Sequence, residues 1–304
     1  MRDNKLQSKL RQVPFQLPEP DRQGFVTGLS TVGFHRIAYS EWGPADSRRV
    51  VVCVHGLTRQ GRDFDYLASS LAARDCRVIC PDLVGRGRSD CLPNAFDYVF
   101  PQYCADMGTL LAASGATDVD WVGSSIGGLI GMILAGLPGS PIRRLVVNDI
   151  GPRVPLTAGL RVSSLLSSIP TTFPSMEVAE AHFRATFNTY GELDDAHWGH
   201  ITRHSVAWDP AVSAYRMLYD PKITKAFQWL WYYSMGLQSY WRDIKCPVLV
   251  IRGEESDFLT CDIAEEMRRT KPDVVFHDVP GVGHMPMLMT PSQIEPVLTF
   301  LTRS

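Results

Sequence analysis

The sequence predicts an α/β fold with a mostly parallel, doubly wound sheet. Short apolar runs alternate along the chain with amphipathic segments of helical period. Several of these runs, such as residues 50–54, are continuously apolar, which is typical of strands covered on both faces. Polar and glycine residues follow directly at their carboxyl ends. The alternation of strand and helix implies right-handed crossovers, and the carboxyl edge of such a sheet is where functional residues are expected.

The first half of the chain predicts a tail, a hairpin and then regular alternation. Residues 1–23 are polar and contain three prolines, so we expect a surface tail. Period-two alternation over residues 24–42 predicts an antiparallel hairpin, which Gly43-Pro44 ends. The elements expected next are strands at 50–54, 77–80, 119–122 and 144–148, with helices at 64–73, 102–114 and 128–137.

The pattern changes between residues 151 and 243, where strands vanish and helical periodicity continues alone. Five of the seven tryptophans fall in this stretch. We expect a helical cap at residues 152–243, inserted after the sixth strand. Alternation then resumes with strands at 248–252 and 274–279 and helices at 261–270 and 292–301. The core domain is therefore expected to comprise residues 24–151 and 244–304.

Composition excludes several classes of partner. Thirty Lys and Arg face 32 Asp and Glu, and a net charge of −2 favours neither nucleic acid nor an anionic membrane as partner. The seven cysteines form no C-x-x-C pair and are typical of reduced thiols. No apolar stretch suits a signal peptide or a membrane span. We therefore expect a cytoplasmic protein that acts on a small molecule, as a monomer or a homodimer.

The motif with the clearest chemical meaning is G-x-S-x-G at residues 123–127, with Ser125 at its centre. An apolar strand precedes it and a helix of small and apolar residues follows. Glycines on both sides let strand and helix approach closely, which holds the serine in a strained turn at the end of the sheet. Ser125 is the predicted nucleophile, because only it, and not Ser124, has glycines two residues away on both sides.

A serine hydroxyl needs a base, and the base needs an orienting acid. His284 is the predicted base, in a glycine loop after the strand at 274–279. Asp257 is the predicted acid, directly after the strand at 248–252. Singly, such residues are more often a surface histidine and a turn former. Asp149, which closes the strand at 144–148, is an alternative acid ranked below Asp257.

With these motifs the chain resembles the α/β-hydrolase fold family, in particular its lid-bearing serine esterases and C–C hydrolases. The likeness covers nearly everything from residue 24 onward. It implies the α/β-hydrolase fold, a triad in the order Ser125, Asp257, His284, no cofactor, and a cap over the site. The matching pieces are His55-Gly56, the D-x-x-G-x-G-x-S loop at 82–89, the Ser125 elbow, N-D-I-G-P at 148–152, the Asp257 turn and Gly283-His284.

Acyl transfer also requires amide donors for the oxyanion. The N–H of Ile126 is one expected donor, since it follows the nucleophile at a helix start. The resemblance implies a second donor in the turn after His55-Gly56, and Leu57 is the residue we choose.

Other conspicuous residues have simpler interpretations. His197, His200 and His204 lie at helical spacing, but we expect them to be solvated rather than to bind a metal. The segment G-R-G-R at 85–88 is only half of a nucleotide fingerprint. The cap aromatics and methionines either line an apolar pocket or form the cap's own core; they are Trp198, Trp208, Trp229, Trp231, Trp241, Tyr232, Tyr233, Met217 and Met235.

The predicted function is hydrolysis of a small to medium, largely apolar carboxylic ester. Ser125 argues against dehalogenases and epoxide hydrolases, which carry aspartate at the elbow. A meta-cleavage C–C hydrolase shares the fold, although those enzymes commonly carry Trp where Met285 follows the histidine. A cofactor-free perhydrolase or acyltransferase, and a ligand-binding receptor on the same fold, remain alternatives.

Overall fold

The computed structural model describes residues 19–230 and 236–302, in which an eight-stranded sheet organises the chain. The strands are β1 (Arg22–Ser30), β2 (Gly33–Trp42), β3 (Val50–Val54), β4 (Arg77–Pro81), β5 (Val119–Ser124), β6 (Ile142–Asn148), β7 (Thr172–Phe173), β8 (Val206–Asp209), β9 (Ala214–Met217), β10 (Val248–Gly253) and β11 (Val275–Val279). The helices are α1 (Asp65–Ala72), α2 (Phe100–Ser114), α3 (Ile126–Gly136), α4 (Leu156–Ser168), α5 (Met176–Thr186), α6 (Asp195–Ser205), α7 (Lys222–Leu230), α8 (Gln238–Asp243), α9 (Cys261–Thr270) and α10 (Pro291–Thr302).

The main sheet has the order β1-β2-β4-β3-β5-β6-β10-β11. β1 pairs with β2, and β2 with β4, in antiparallel fashion; every later pairing is parallel. The mostly parallel sheet and its N-terminal hairpin are therefore confirmed. The strand order reverses at β3, and the carboxyl ends of β3, β5, β6 and β10 meet at one edge, where open α/β sheets bind their ligands.

Both faces of the sheet are covered, which explains its continuously apolar strands. Val52 and Val54 of β3 pack into a core cluster shared with α2, α3 and α9, whereas Val51 and Cys53 pack into a second cluster shared with α1 and α10. All five residues of β3 are buried. Alternate side chains thus reach opposite layers, so neither face needs polar residues.

The segment between β6 and β10 differs from its prediction in one respect. It is mainly helical, but β7, β9 and β8 form a small antiparallel sheet that the sequence did not indicate. These strands are two to four residues long, and Trp208 in β8 is exposed, so they carry little apolar signal. The cap boundaries at 152 and 243 stay a prediction.

The first strand begins earlier than the sequence predicts. β1 begins at Arg22, inside the predicted tail, while residues 1–18 of that tail lie outside the described residues.

Within the described ranges, every helix is too short or too polar to cross a bilayer.

Candidate active site

Ser125 occupies the sharp turn between β5 and α3 that the sequence motif predicts. Its backbone has φ of 50° and ψ of −115°, a conformation that costs a non-glycine residue about 1–3 kcal/mol. The Ser125 N–H donates to the carbonyl oxygen of Asn148 at 2.9 Å, which anchors the turn to β6. A Cβ on Gly123 would collide with the backbone of Gly127, and one on Gly127 with the carbonyl of Val54. Both glycines are therefore required by close backbone approach.

His284 reaches Ser125 from the loop after β11. Its Nε2 lies 3.1 Å from Oγ of Ser125, and its Nδ1 lies 2.8 Å from Oδ2 of Asp149. With the proton on Nδ1 donated to the carboxylate, Nε2 is free to accept the serine hydroxyl. The ring of Phe258 stacks on the imidazole, with centroids 3.9 Å apart. The imidazole is thus fixed by contacts on both nitrogens and one face.

The carboxylate beside His284 belongs to Asp149, directly after β6. Asp149 is fully buried and has a φ of 57°. Its Oδ1 accepts the N–H of Gly253 at 2.8 Å, and its Oδ2 accepts the hydroxyl of Ser256 at 2.7 Å as well as the His284 contact. These donors hold the carboxylate in one orientation and satisfy it in the absence of solvent.

The carboxylate that contacts Nδ1 of His284 is that of Asp149 and not that of Asp257, the acid expected from the sequence. Its carboxylate is about half exposed and accepts two hydrogen bonds, at 2.6 and 2.8 Å, from the guanidinium of Arg161 in α4. Asp257 and Asp149 both follow the ends of neighbouring strands, so their local sequences look alike. The turn after β10 presents its Gly253 amide and Ser256 hydroxyl to Asp149 and directs Asp257 toward Arg161 of α4.

The turn at residues 55–57 lies beside Ser125 and is held by several hydrogen bonds. His55 is completely buried, and burial lowers its pKa to about 3, which keeps the imidazole neutral. Its Nδ1 donates to the carbonyl of Gly56 at 2.7 Å, and its Nε2 accepts the N–H of Leu83 at 2.9 Å. Nε of Arg86 donates to the carbonyl of Leu57 at 2.8 Å. Leu57 and Ile126 both line the cavity over Ser125; their oxyanion role stays a prediction.

A cavity that is partly open to solvent lies above Ser125. Its wall is largely apolar, and α4 and the segment after α5 supply much of it. Sequence reasoning missed these side chains, because an apolar residue on a cap helix has the same pattern whether it faces a pocket or a core. Those from the segment between β6 and β10 include Val162, Leu165, Leu166, Phe187 and Tyr190, and Arg59 and Arg161 add charge.

The proposed cap residues whose side chains the structure describes do not line this cavity. Trp198 and Met217 belong to the core of the cap, and Trp241 to the core beneath the sheet. Trp208 is 52% exposed. The side chains of Trp229, Trp231, Tyr232, Tyr233 and Met235 lie outside the described residues.

The expectation that the three α6 histidines are solvated is wrong. His197 caps its own helix with Asp194, and its side chain is only 14% exposed. His200 and His204 pack against the core, beside Asp65. Burial lowers the pKa of both, that of His204 to about 3. The polar segment looked exposed because the core residues that cover it are more than 130 positions away.

The fold and the elbow serine define the class of protein. A model described as "Alpha/beta hydrolase family" matches residues 51–295, and the chain belongs to this family. The family and the hydrolase class predicted from the sequence are therefore confirmed.

Individual relatives agree with this assignment. The chain is 41% identical over 290 residues to a 3-hydroxybutyrate-oligomer hydrolase of Cupriavidus necator, covering 92% of this chain and 98% of the relative. A solved α/β hydrolase from Novosphingobium aromaticivorans has a TM-score of 0.79 at 28% identity, over 93% of this chain and 99% of that one. A Rickettsia typhi protein reaches a TM-score of 0.85 at 27% identity, with the same coverage of 93% and 99%.

Proposed function

We propose that this protein hydrolyses carboxylic esters through an acyl-enzyme on Ser125. The observation that carries the proposal is the chain of contacts from Ser125 Oγ to His284 Nε2 at 3.1 Å, and from His284 Nδ1 to Asp149 Oδ2 at 2.8 Å. A nucleophile, a base and a buried acid in hydrogen-bond sequence are what acyl transfer requires.

Each of the three side chains has a defined part in the reaction. Ser125 Oγ attacks the ester carbonyl while His284 Nε2 takes its proton, and Asp149 stabilises the imidazolium. His284 then returns the proton to the leaving alcohol as the C–O bond breaks. Water, deprotonated by His284, attacks the acyl-enzyme, and the proton passes to Ser125 as the carboxylic acid leaves. The reaction therefore consumes one water and needs no cofactor.

The negative charge on the carbonyl oxygen would be bound by the N–H groups of Leu57 and Ile126. Ile126 begins α3, where the first amides have no partner within the helix and the helix dipole favours an anion. The hydrogen bonds of His55 and Arg86 to the 56–57 turn support Leu57 as the second donor, because they fix its backbone before substrate binds.

The substrate class we propose is a short oligomer of a hydroxy acid such as 3-hydroxybutyrate. The 41% identical Cupriavidus relative carries that activity in its name and aligns with nearly its full length. The apolar wall of the cavity suits the short aliphatic units of such an ester. This substrate class is narrower than the one predicted from the sequence, a small to medium, largely apolar ester.

The test compares wild-type protein with Ser125→Ala and Ser124→Ala on p-nitrophenyl butyrate and on the 3-hydroxybutyrate dimer and trimer. We expect wild type to release 3-hydroxybutyrate, and Ser125→Ala to lose at least about 10⁴-fold in kcat. Ser124→Ala is the matched control, since the Ser124 hydroxyl accepts a hydrogen bond from the Asn148 side chain and is not the hydroxyl that His284 contacts, and it should keep activity within about 10-fold.

The outcomes separate chemistry from substrate. Full activity in Ser125→Ala on every ester would overturn the mechanism. Activity on p-nitrophenyl butyrate without cleavage of the oligomers would overturn only the substrate class. Turnover of a ring-fission dienoate in place of esters would favour the C–C hydrolase alternative.

A further inference from the structure

Three potential metal ligands meet where the cap helix α6 packs against the start of α1. His200 and His204 are four residues apart in α6 and therefore project from one face. Asp65 is the first residue of α1. Their candidate ligand atoms all lie within 4.8 Å of one another. None of the three is among the residues that line the cavity over Ser125, so this cluster is separate from the proposed active site.

Asp65 is the residue that most needs a further partner. It is fully buried, and its Oδ2 accepts a hydrogen bond from Nε of Arg62 at 2.7 Å. Its Oδ1 is also buried and has no hydrogen-bond partner among the described residues. A buried polar atom left without a partner costs about 1–3 kcal/mol. A cation bound by this carboxylate would offset that cost.

Two of the arginines near the cluster, Arg62 and Arg59, are each paired with carboxylates. Arg62 donates to Oε2 of Glu19 at 2.9 Å as well as to Asp65, so two carboxylates face it. Arg59 is held through two nitrogens by the carboxylate of Asp63. Both guanidinium groups are thus paired before any metal binds.

The two imidazoles lie close enough to complete the donor set. Nε2 of His200 is 3.6 Å from Oδ2 of Asp65, and the rings of His200 and His204 have centroids 4.6 Å apart. Nε2 of His200 also lies 2.8 Å from the carbonyl oxygen of Arg62, a hydrogen bond that a metal would replace. Two imidazole nitrogens and one carboxylate oxygen suit zinc and similar divalent ions, with a fourth position left for water or a carbonyl.

We infer that Asp65, His200 and His204 bind a divalent transition-metal ion of the zinc type, which ties cap helix α6 to the core. The site goes beyond the proposed esterase function and does not depend on it. Its position couples it to the cavity, because Nη1 of Arg59, a lining residue, donates to Oγ of Ser205 at the end of α6 at 2.9 Å. A bound ion would hold the cap helix and this cavity wall together.

The test titrates Zn²⁺ into chelator-treated full-length protein by calorimetry and repeats the titration with Co²⁺ by visible absorption. We expect one equivalent to bind and the melting temperature to rise with added Zn²⁺. His204→Gln should weaken binding by more than the roughly 10–100-fold that loss of an outer partner costs, and should abolish the thermal shift. His197→Gln, on the same helix but outside the cluster, is the matched control and should bind as wild type does.

Circular dichroism of the His204→Gln and His197→Gln variants establishes that they fold. Asp65→Asn removes the ligand that α1 contributes and gives a second test. The inference is overturned if wild type binds no Zn²⁺, or if His204→Gln and Asp65→Asn bind it as tightly as wild type. Binding that survives both substitutions would lie elsewhere, for example at the exposed thiols of Cys91 and Cys261.

Discussion

Oδ2 of Asp149 lies 2.8 Å from Nδ1 of His284, although 135 residues separate the two in sequence. Asp149 follows β6 and His284 follows β11, and β10 lies between these two strands in the sheet. Gly253, the last residue of β10, and Ser256 just beyond it bridge the gap by donating to the Asp149 carboxylate. The position of the Asp149 carboxylate is therefore set by residues that follow or end three different strands.

The hydroxyl of Ser256 orients Asp149, so its removal should impair catalysis without affecting substrate binding. We expect Ser256→Ala to lower kcat on p-nitrophenyl butyrate by about 10–100-fold, the value of one hydrogen bond to a charged group, with KM nearly unchanged. Ser256→Thr keeps the hydroxyl and should restore most of the rate. An unchanged kcat in the alanine variant would show that this hydrogen bond plays no part in the reaction.

The space around each glycine predicts opposite effects on stability for alanine at Gly127, in the elbow, and at Gly108, in α2. In Gly127→Ala the new methyl group meets the carbonyl of Val54, so the free energy of unfolding should fall by at least about 2 kcal/mol. Gly108, inside α2, has open space around its Cα. Gly108→Ala should therefore raise the free energy of unfolding by about 0.5–1 kcal/mol. Urea denaturation measures both, and equal stabilities would contradict the packing argument.

Burial of His55 predicts a specific dependence of stability on pH. Its folded pKa of about 3 lies below its unfolded value, so the unfolded chain binds one more proton between about pH 6 and pH 3. Stability should fall through this window as pH falls, by about 1.4 kcal/mol per pH unit from this group.

The variant His55→Asn removes the titrating group while keeping a donor near the position of Nδ1. Urea unfolding at several pH values from 6 down to 4 should give a slope smaller by about one proton than that of wild type. Identical slopes would mean that His55 does not resist protonation in the folded protein.

Local sequence predicted those parts of the site that depend on local geometry. The glycines around Ser125 and the loop of His284 are such features, and the structure brings these two side chains together. The carboxylate that contacts His284 could not be chosen locally, because Asp149 and Asp257 both follow apolar strands. Which aspartate contacts His284 depends on Gly253 and Ser256, which donate to Asp149. It depends also on Arg161 of α4, which pairs with Asp257.

Local sequence patterns also could not predict which side chains are buried between β6 and β10. His200 and His204 lie in a polar helix, and residues far away in sequence, among them Arg62, Asp65 and Tyr66, pack against them. The short strands β7, β8 and β9 are stabilised by one another rather than by a long apolar pattern. Long-range contacts decided each of these features.

The most direct test of the proposed catalytic centre compares kcat for Asp149→Asn and Asp257→Asn on p-nitrophenyl butyrate. Asp149→Asn leaves His284 without its carboxylate and should lower kcat by about 10⁴-fold. Asp257→Asn weakens only the half-exposed contact with Arg161 and should keep kcat within about 10-fold of wild type. A loss of about 10⁴-fold in Asp257→Asn, with Asp149→Asn still active, would contradict the account.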